Sequence, residues 1–247
     1  MKHITQLTLF KELLFNIIIN ISSTLCIKQY GRLFLYFWIT SDFVILFEMK
    51  YKNTMRNKKL PKSFYQGDAI ELAPKFLGKF LVRKTAQGII SGMITEVEAY
   101  PAFVDKVSHG NKKTKRTKVM YRNGGYAYVY KIYGIYYQLA IVVNKKDIPE
   151  VVFIRAVKPK EGINIMKKEF SKETDVATLT KSPGNLCKSF GITQNLYGVD
   201  LTDDIIWLED RNVVMDEKDI MSDKRIGINK SLQGSKKQLR YFLQIKE

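Results

Sequence analysis

Residues 126–157 read YAYVYKIYGIYYQLAIVVNKKDIPEVVFIRAV, and this stretch decides the fold class. Three runs rich in Tyr, Val and Ile, residues that suit a pleated, half-buried surface, are separated by Tyr133–Gly134 and by the Asn144–Pro149 turn. Links this short join antiparallel neighbours, because a parallel pair needs a crossover of roughly a dozen residues or more. Working outward, FLVRK and GIISGMITEVEAY read as strands around a Gly88 turn, and DDIIWLED and LRYFLQI as strands nearer the C-terminus. GDAIELAPKFLG reads as a helix with Asp68 as N-cap and Gly78 as stop. KEGINIMKKEF is a short amphipathic helix, and SPGNLCKSFGI is a helix that starts near Pro183 and ends at Gly191. The expectation is a mixed α/β (α+β) fold: a single domain over 60–247, built on a curved, mainly antiparallel β-sheet with packed helices. Pro101–Met120 is a long loop, and loops of that length in a compact domain are often functional.

Residues 1–59 read as a separate, hydrophobic and then polar extension. Runs such as LLFNIIINI and LFLYFWITSDFVILFE are apolar, but Lys11, Glu12, Asn16 and Asn20 interrupt the first and Asp42 the second. No small-residue cleavage site follows, and the run Leu33–Phe47 is shorter than a membrane span. The chain uses 32 Lys against 9 Arg and is rich in Ile, Asn, Phe and Tyr, all of which have A/T-rich codons. Translated upstream A/T-rich DNA would have the same composition. The expectation is therefore a misplaced start, with Met49 or Met55 as plausible true starts, or a dispensable extension, in preference to a membrane anchor.

The formal charge of the 247-residue chain is +17, and residues 49–247 hold 37 basic against 21 acidic side chains. A polyanionic partner, nucleic acid or an anionic surface, follows from that imbalance; a solvated basic surface is the plainer alternative. Two cysteines, Cys26 and Cys187, form no CxxC pair, and two histidines, His3 and His109, cannot build a multi-histidine metal centre. The thiol content fits a reducing cytoplasm, so the expected location is cytoplasmic, at the nucleoid in a bacterium.

Three clusters can carry chemistry. In ITEVEAY, strand alternation puts Ile94, Glu96, Glu98 and Tyr100 on one face. Carboxylates there repel phosphate, so they read either as a general base with an aromatic beside it to stack a nucleobase, or as a solvent-facing edge strand. In the second cluster, Tyr126, Tyr128 and Tyr130 share parity while Tyr133 has the opposite parity beside Gly134. One tyrosine can then line a pocket while another projects as a wedge between base steps; simple strand propensity is the alternative. The third is NKKTKRTK, where Lys112, Lys113, Lys115, Arg116 and Lys118 could contact a DNA backbone, with Thr and Asn donating to phosphate. A solvated charge run competes with that reading.

Taken together, TEVEAY, SHG, TKRT, YVYKIYGIYY, FIRAV, PGNLC, RIG and LRYFL resemble the alkyladenine (3-methyladenine) DNA glycosylase family, in family order from Leu60 to Ile245. The resemblance implies a monofunctional N-glycosylase that flips damaged purines out of double-stranded DNA and leaves an abasic site. It implies Glu98 as the general base, with Arg155 and the backbone carbonyl of Ile226 positioning the water. Tyr100, His109 and Tyr130 would line the base pocket, and Tyr133 would fill the gap in the duplex. No cofactor and no metal are implied, and a monomer is expected. The sequence departs from the family pattern at three places. Ala140 stands where an Asn crowds guanine's amino group, so exclusion of guanine is expected to be weaker. Asn185 replaces a Lys, and Gln238 replaces a Pro. A non-catalytic nucleic-acid-binding module is the competing class; Glu98 separates the two, because such a module has no use for a carboxylate in its pocket.

Overall fold

A computed structural model describes residues 58–170 and 173–244; the expectations for the N-terminal segment, with His3 and Cys26, lie outside them. The described residues form nine strands and three α-helices: β1 (Lys58–Lys59), α1 (Ala69–Phe76), β2 (Phe80–Thr85), β3 (Gly88–Tyr100), β4 (Ala127–Ile132), β5 (Tyr136–Val143), β6 (Glu150–Glu161), α2 (Ile163–Lys168), α3 (Pro183–Ser189), β7 (Ile206–Asp210), β8 (Ile220–Asp223) and β9 (Arg240–Leu243). Every strand pair is antiparallel, in the order β1-β7-β2-β3-β6-β5-β4, and β9 joins β3 and carries β8. Lys58 and Lys59, read from the sequence as the end of a polar leader, thus belong to the sheet. So does β8, a stretch for which the sequence pattern predicts no element.

The helix boundaries follow local chemistry. The Asp68 side chain accepts from the Ile70 and Glu71 amides, capping α1, and Ala69, Leu72, Ala73 and Phe76 turn one face into the core. Gly78 at φ +77 ends that segment in a conformation L side chains rarely adopt. Ser182 caps α3 by accepting from Asn185, and Pro183 fills the first helical position, where no amide is needed.

Alternation along the central strands sorts the domain into two apolar layers. Val129, Leu139, Ile141, Val152 and Ile154 face the main core with α1 and α3. Tyr128, Ala140, Val142, Val151 and Phe153 face the opposite side, where Tyr100, Tyr126 and Tyr130 pack on them. One irregularity positions the site. The pairing of β3 with β6 shifts between Ile94 and Glu96 and again between Glu96 and Val97, leaving Thr95 and Arg155 without partners in the ladder. Ile94 therefore packs in the main core with Val97 and Ala99 and does not share a face with Glu96, Glu98 and Tyr100. A β-bulge reverses the alternation that a uniform strand would keep.

Candidate functional site

Glu98 lies on no edge. Its strand pairs with β6 through Phe153 and with β9 through Arg240, and the residue is fully buried. The edge-strand reading fails there. A buried carboxylate needs partners, and this one has three donors. Oε1 accepts from the Ile226 amide at 2.8 Å and lies 3.1 Å from Nη1 of Arg155; Oε2 accepts from the Tyr100 hydroxyl at 2.8 Å. Because a carboxylate oxygen can accept twice, Oε2 retains capacity for one more donor, such as a water. Burial pushes the Glu98 carboxyl above its ordinary range, while Arg155, the Ile226 amide, Tyr100 and Arg225 pull it back. Arg155 is itself held: its Nε donates to Glu96 at 2.9 Å, and Glu96 also pairs with Arg240 at 3.3 Å. The bulge thus sets Glu96, Arg155 and Glu98 in one chain of charges.

Beside this cluster opens a cavity of about 490 Å³, lined among others by Tyr100, His109, Tyr128, Tyr130, Ala140 and Ile226. Glu98 stands just behind the wall, and all three groups that hold its carboxylate line the cavity. His109 and Tyr130 meet edge to face, with ring centroids 5.1 Å apart, and Tyr130 stacks on Tyr128 at 4.8 Å. Burial, then the adjacent Arg116, pushes the His109 pKa down to about 4, so the ring is neutral at physiological pH. Ala140 is buried in the wall between Tyr128 and Phe153 of the neighbouring strands. A methyl side chain there leaves room that a larger residue would fill.

Tyr133 lies in the turn between β4 and β5, at φ +50 and 85% exposed. Gly134 follows at φ +72, and Ile135 and Tyr136 are also exposed. Two successive left-handed residues hold this apolar tip outward, at the mouth that Tyr133 and Tyr136 help line. Tyr130 and Tyr133 thus point to different surroundings, as their parity suggested.

The basic run is exposed at Lys112, Lys113, Lys115, Arg116 and Lys118. Its hydroxyls and amide, however, are spent inside the protein. Thr117 Oγ1 donates to the Lys112 carbonyl at 2.6 Å, and the Asn111 amide donates to the Asp105 and Ser108 carbonyls. These groups shape the loop, and the lysine side chains of the run remain exposed. Arg116 is also engaged, 3.0 Å from His109 Nδ1, with its Nε donating to the Tyr128 hydroxyl at 3.1 Å. Asn185 donates to the Thr178 carbonyl, and Gln238 meets Ser222 at 3.4 Å. Among the described residues no group of three His, Cys, Asp or Glu side chains is placed to hold a metal ion. No helix among them is long and apolar enough to cross a membrane.

Sequence reasoning missed Tyr128 as a pocket residue, Glu96 as the support of Arg155, and the Arg225–Asp105 pair behind Tyr100. The first was legible in principle, since Tyr128 shares parity with Tyr130. The other two depend on contacts between distant segments.

The sequence is similar to proteins provisionally named 3-methyladenine DNA glycosylases. The relative from Clostridium novyi (strain NT) is 44% identical over 181 residues, covering 70% of this chain and 88% of its own. That from Bacillus cereus (strain AH820) is 40% identical over 173 residues, covering 67% and 83%. The model of the methylpurine-DNA glycosylase family matches residues 63–247, a span that contains Glu98, Arg155, Ile226 and the aromatic cavity. The chain belongs to the methylpurine-DNA glycosylase family.

Proposed function

We propose that the cavity receives an alkylated purine flipped out of double-stranded DNA and that Glu98 activates the water that cleaves it. Family membership makes the chain a DNA glycosylase, a hydrolase of N-glycosyl bonds that acts on alkylated DNA in base excision repair. The residue roles are our reading. Alkylation at N3 or N7 places positive charge on the base and weakens its bond to C1′. As that bond breaks, the base leaves with the bonding electrons and the sugar becomes oxocarbenium-like. Water then adds through oxygen to C1′, and its proton passes to Glu98 Oε2. The products are a free base and an abasic site. The Ile226 carbonyl and Arg155 position the water, while Tyr100, His109 and Tyr130 hold the base. Tyr133 enters the emptied stack from the minor groove, and Lys112, Lys113, Lys115, Arg116 and Lys118 contact the backbone. The reading extends to a protein that works as a monomer in the cytoplasm, without cofactor or metal, with a catalytic domain that takes in Lys58 and Lys59 through their pairing with β7.

The observation that carries this proposal is a fully buried carboxylate whose three partners all line an aromatic cavity. A binding module would gain nothing from burying that charge. The test is incubation of the purified protein with alkylated DNA, followed by chromatography of released bases. Wild type should release alkylpurines and Glu98→Gln should not. Equal release by both removes Glu98 from the role.

A further inference from the structure

We propose that Arg225 is a positioning residue: its guanidinium, paired with Asp105, fixes the Ile226 amide and the Tyr100 ring against Glu98. The inference rests on the glycosylase reading for its kinetic consequence but on geometry for its premise. Arg225 and Asp105 form an ion pair at 2.5 Å in which both side chains are completely buried. The same guanidinium donates to the Ala99 carbonyl at 3.0 Å and to the Gly234 carbonyl at 3.2 Å. Its central carbon lies 4.5 Å from the centre of the Tyr100 ring. Ala99 separates Glu98 from Tyr100 in the chain, and Ile226 follows Arg225. One planar cation therefore ties together the end of β3, the loop that leads to His109, and the segment that supplies the Glu98 amide donor.

The seat for this pair is built into the backbone. A Cβ at Gly234 would meet Asp105 Oδ1 at 2.2 Å, and Gly234 has φ +96. Only glycine leaves space for the carboxylate there. A planar fork suits three acceptors and a ring face at once, which a lysine ammonium on a flexible stem cannot reproduce. Arg225 does not line the cavity, so it acts through Tyr100, Ile226 and Glu98 and not on the base.

Its charge matters too. The groups that face Glu98 are Arg155 from β6, Tyr100 from β3, Tyr130 from β4, and Arg225 with the Ile226 amide from the C-terminal segment. Glu96, itself bridged to Arg240 of β9, is joined to Glu98 through Arg155. Of the two cations, Arg225 is the one placed behind Tyr100.

The experiment compares full-length wild type, Arg225→Lys and Arg225→Gln, each checked by thermal unfolding. Three quantities are read: single-turnover release of an alkylpurine across pH, affinity for lesion-bearing duplex, and the titration of Glu98 followed by carbon NMR of labelled carboxyl groups. In Arg225→Lys, release should fall on the order of a hundredfold, as misplacement of a reacting group commonly costs, while affinity is retained. In Arg225→Gln the Glu98 titration and the acid limb of the rate profile should both move to higher pH. Wild-type release by Arg225→Lys, or an unmoved Glu98 titration in Arg225→Gln, overturns the proposal. Should Arg225→Gln fail to fold, the rate and pH profile of Arg225→Lys decide alone. A wild type that releases no base would defeat the glycosylase reading, and the NMR titration would still decide whether Arg225 controls Glu98.

Discussion

Glu98, buried just behind the cavity wall, and Tyr133, which lines the cavity, stand at opposite extremes of exposure, 0% against 85%. The carboxylate is a polar group in the interior, and every donor it needs is supplied by the protein before DNA arrives. The tyrosine is an apolar ring in water, held out on two left-handed residues, and on the proposed reading its contacts are left to DNA. The difference separates what the fold must preorganise from what it must leave unsatisfied. Chemistry needs fixed dipoles, which cost nothing to reorganise during reaction. Insertion into a duplex needs exposed surface that gains area only on binding.

That contrast can be broken by substitution, and the largest effect is expected on the buried side. Arg155→Gln leaves Glu96 and Glu98 without the cation between them. Single-turnover release should drop on the order of a hundredfold, near the lower end of what a positioned acid–base group contributes. The acid limb should shift to higher pH, because loss of a cation raises a carboxyl already lifted by burial. An unchanged limb would mean that Arg155 does not act on Glu98. Glu96→Gln, one step removed and still an acceptor for Arg155, should cost much less.

On the exposed side, Tyr133→Ser should weaken binding and flipping by a few kcal/mol, roughly the cost of unstacking a base step. Its melting temperature should match wild type, since the ring packs on little. A fluorescent base analogue at the lesion reads flipping directly, and a wild-type signal in the mutant would return Tyr133 to the role of a turn residue. Smaller again is the effect of Lys113 and Lys115. Replacing both by Ala should flatten the salt dependence of binding by about one to two units of slope if each meets a phosphate. Lys113 lies 4.0 Å from Asp147, so its share is expected to be the lesser of the two. Retention of the full slope would assign the run to solvent.

The smallest change concerns Ala140, on the wall between the two sides. Filling that wall with Ala140→Asn should cut release of normal guanine relative to alkylated guanine by about tenfold, the usual scale for a modest pocket contact. Equal ratios in both proteins would place the purine filter elsewhere.

The sheet was legible because its strands announce themselves by Val, Ile and Tyr runs bounded by Gly and Pro, and because short links allow only antiparallel neighbours. Strand parity also separated Tyr130 from Tyr133, while the family resemblance said which of the two lines the pocket. Parity failed at Ile94, since a bulge at Thr95 is a tertiary accommodation between β3 and β6 that no local pattern encodes. β1 was missed because a two-residue strand carries no periodicity and exists only through pairing with β7. Among site residues, Glu98 was legible as a carboxylate out of place in a basic protein. Asp105 and Arg225 stand 120 positions apart, and their pairing appears only once the chain is folded. The interleaved Thr and Asn, read as donors to phosphate, show a related dependence on folding: Thr117 and Asn111 donate to the loop's own carbonyls.

On the proposed reading, the buried carboxylate, and not merely the basic aromatic surface, makes this protein an enzyme. The most direct test is single-turnover release of an alkylpurine from a defined duplex by wild type and Glu98→Gln over a range of pH, with affinity for the same duplex measured alongside. Glu98 must be ionised to accept a proton, and burial raises its pKa. Wild-type release should therefore fall with decreasing pH around a midpoint above the ordinary glutamate value of about 4.3. Glu98→Gln should bind as wild type does while losing about a thousandfold in rate, and with it the acid limb. Release by Glu98→Gln within about tenfold of wild type, with the limb intact, would contradict the account.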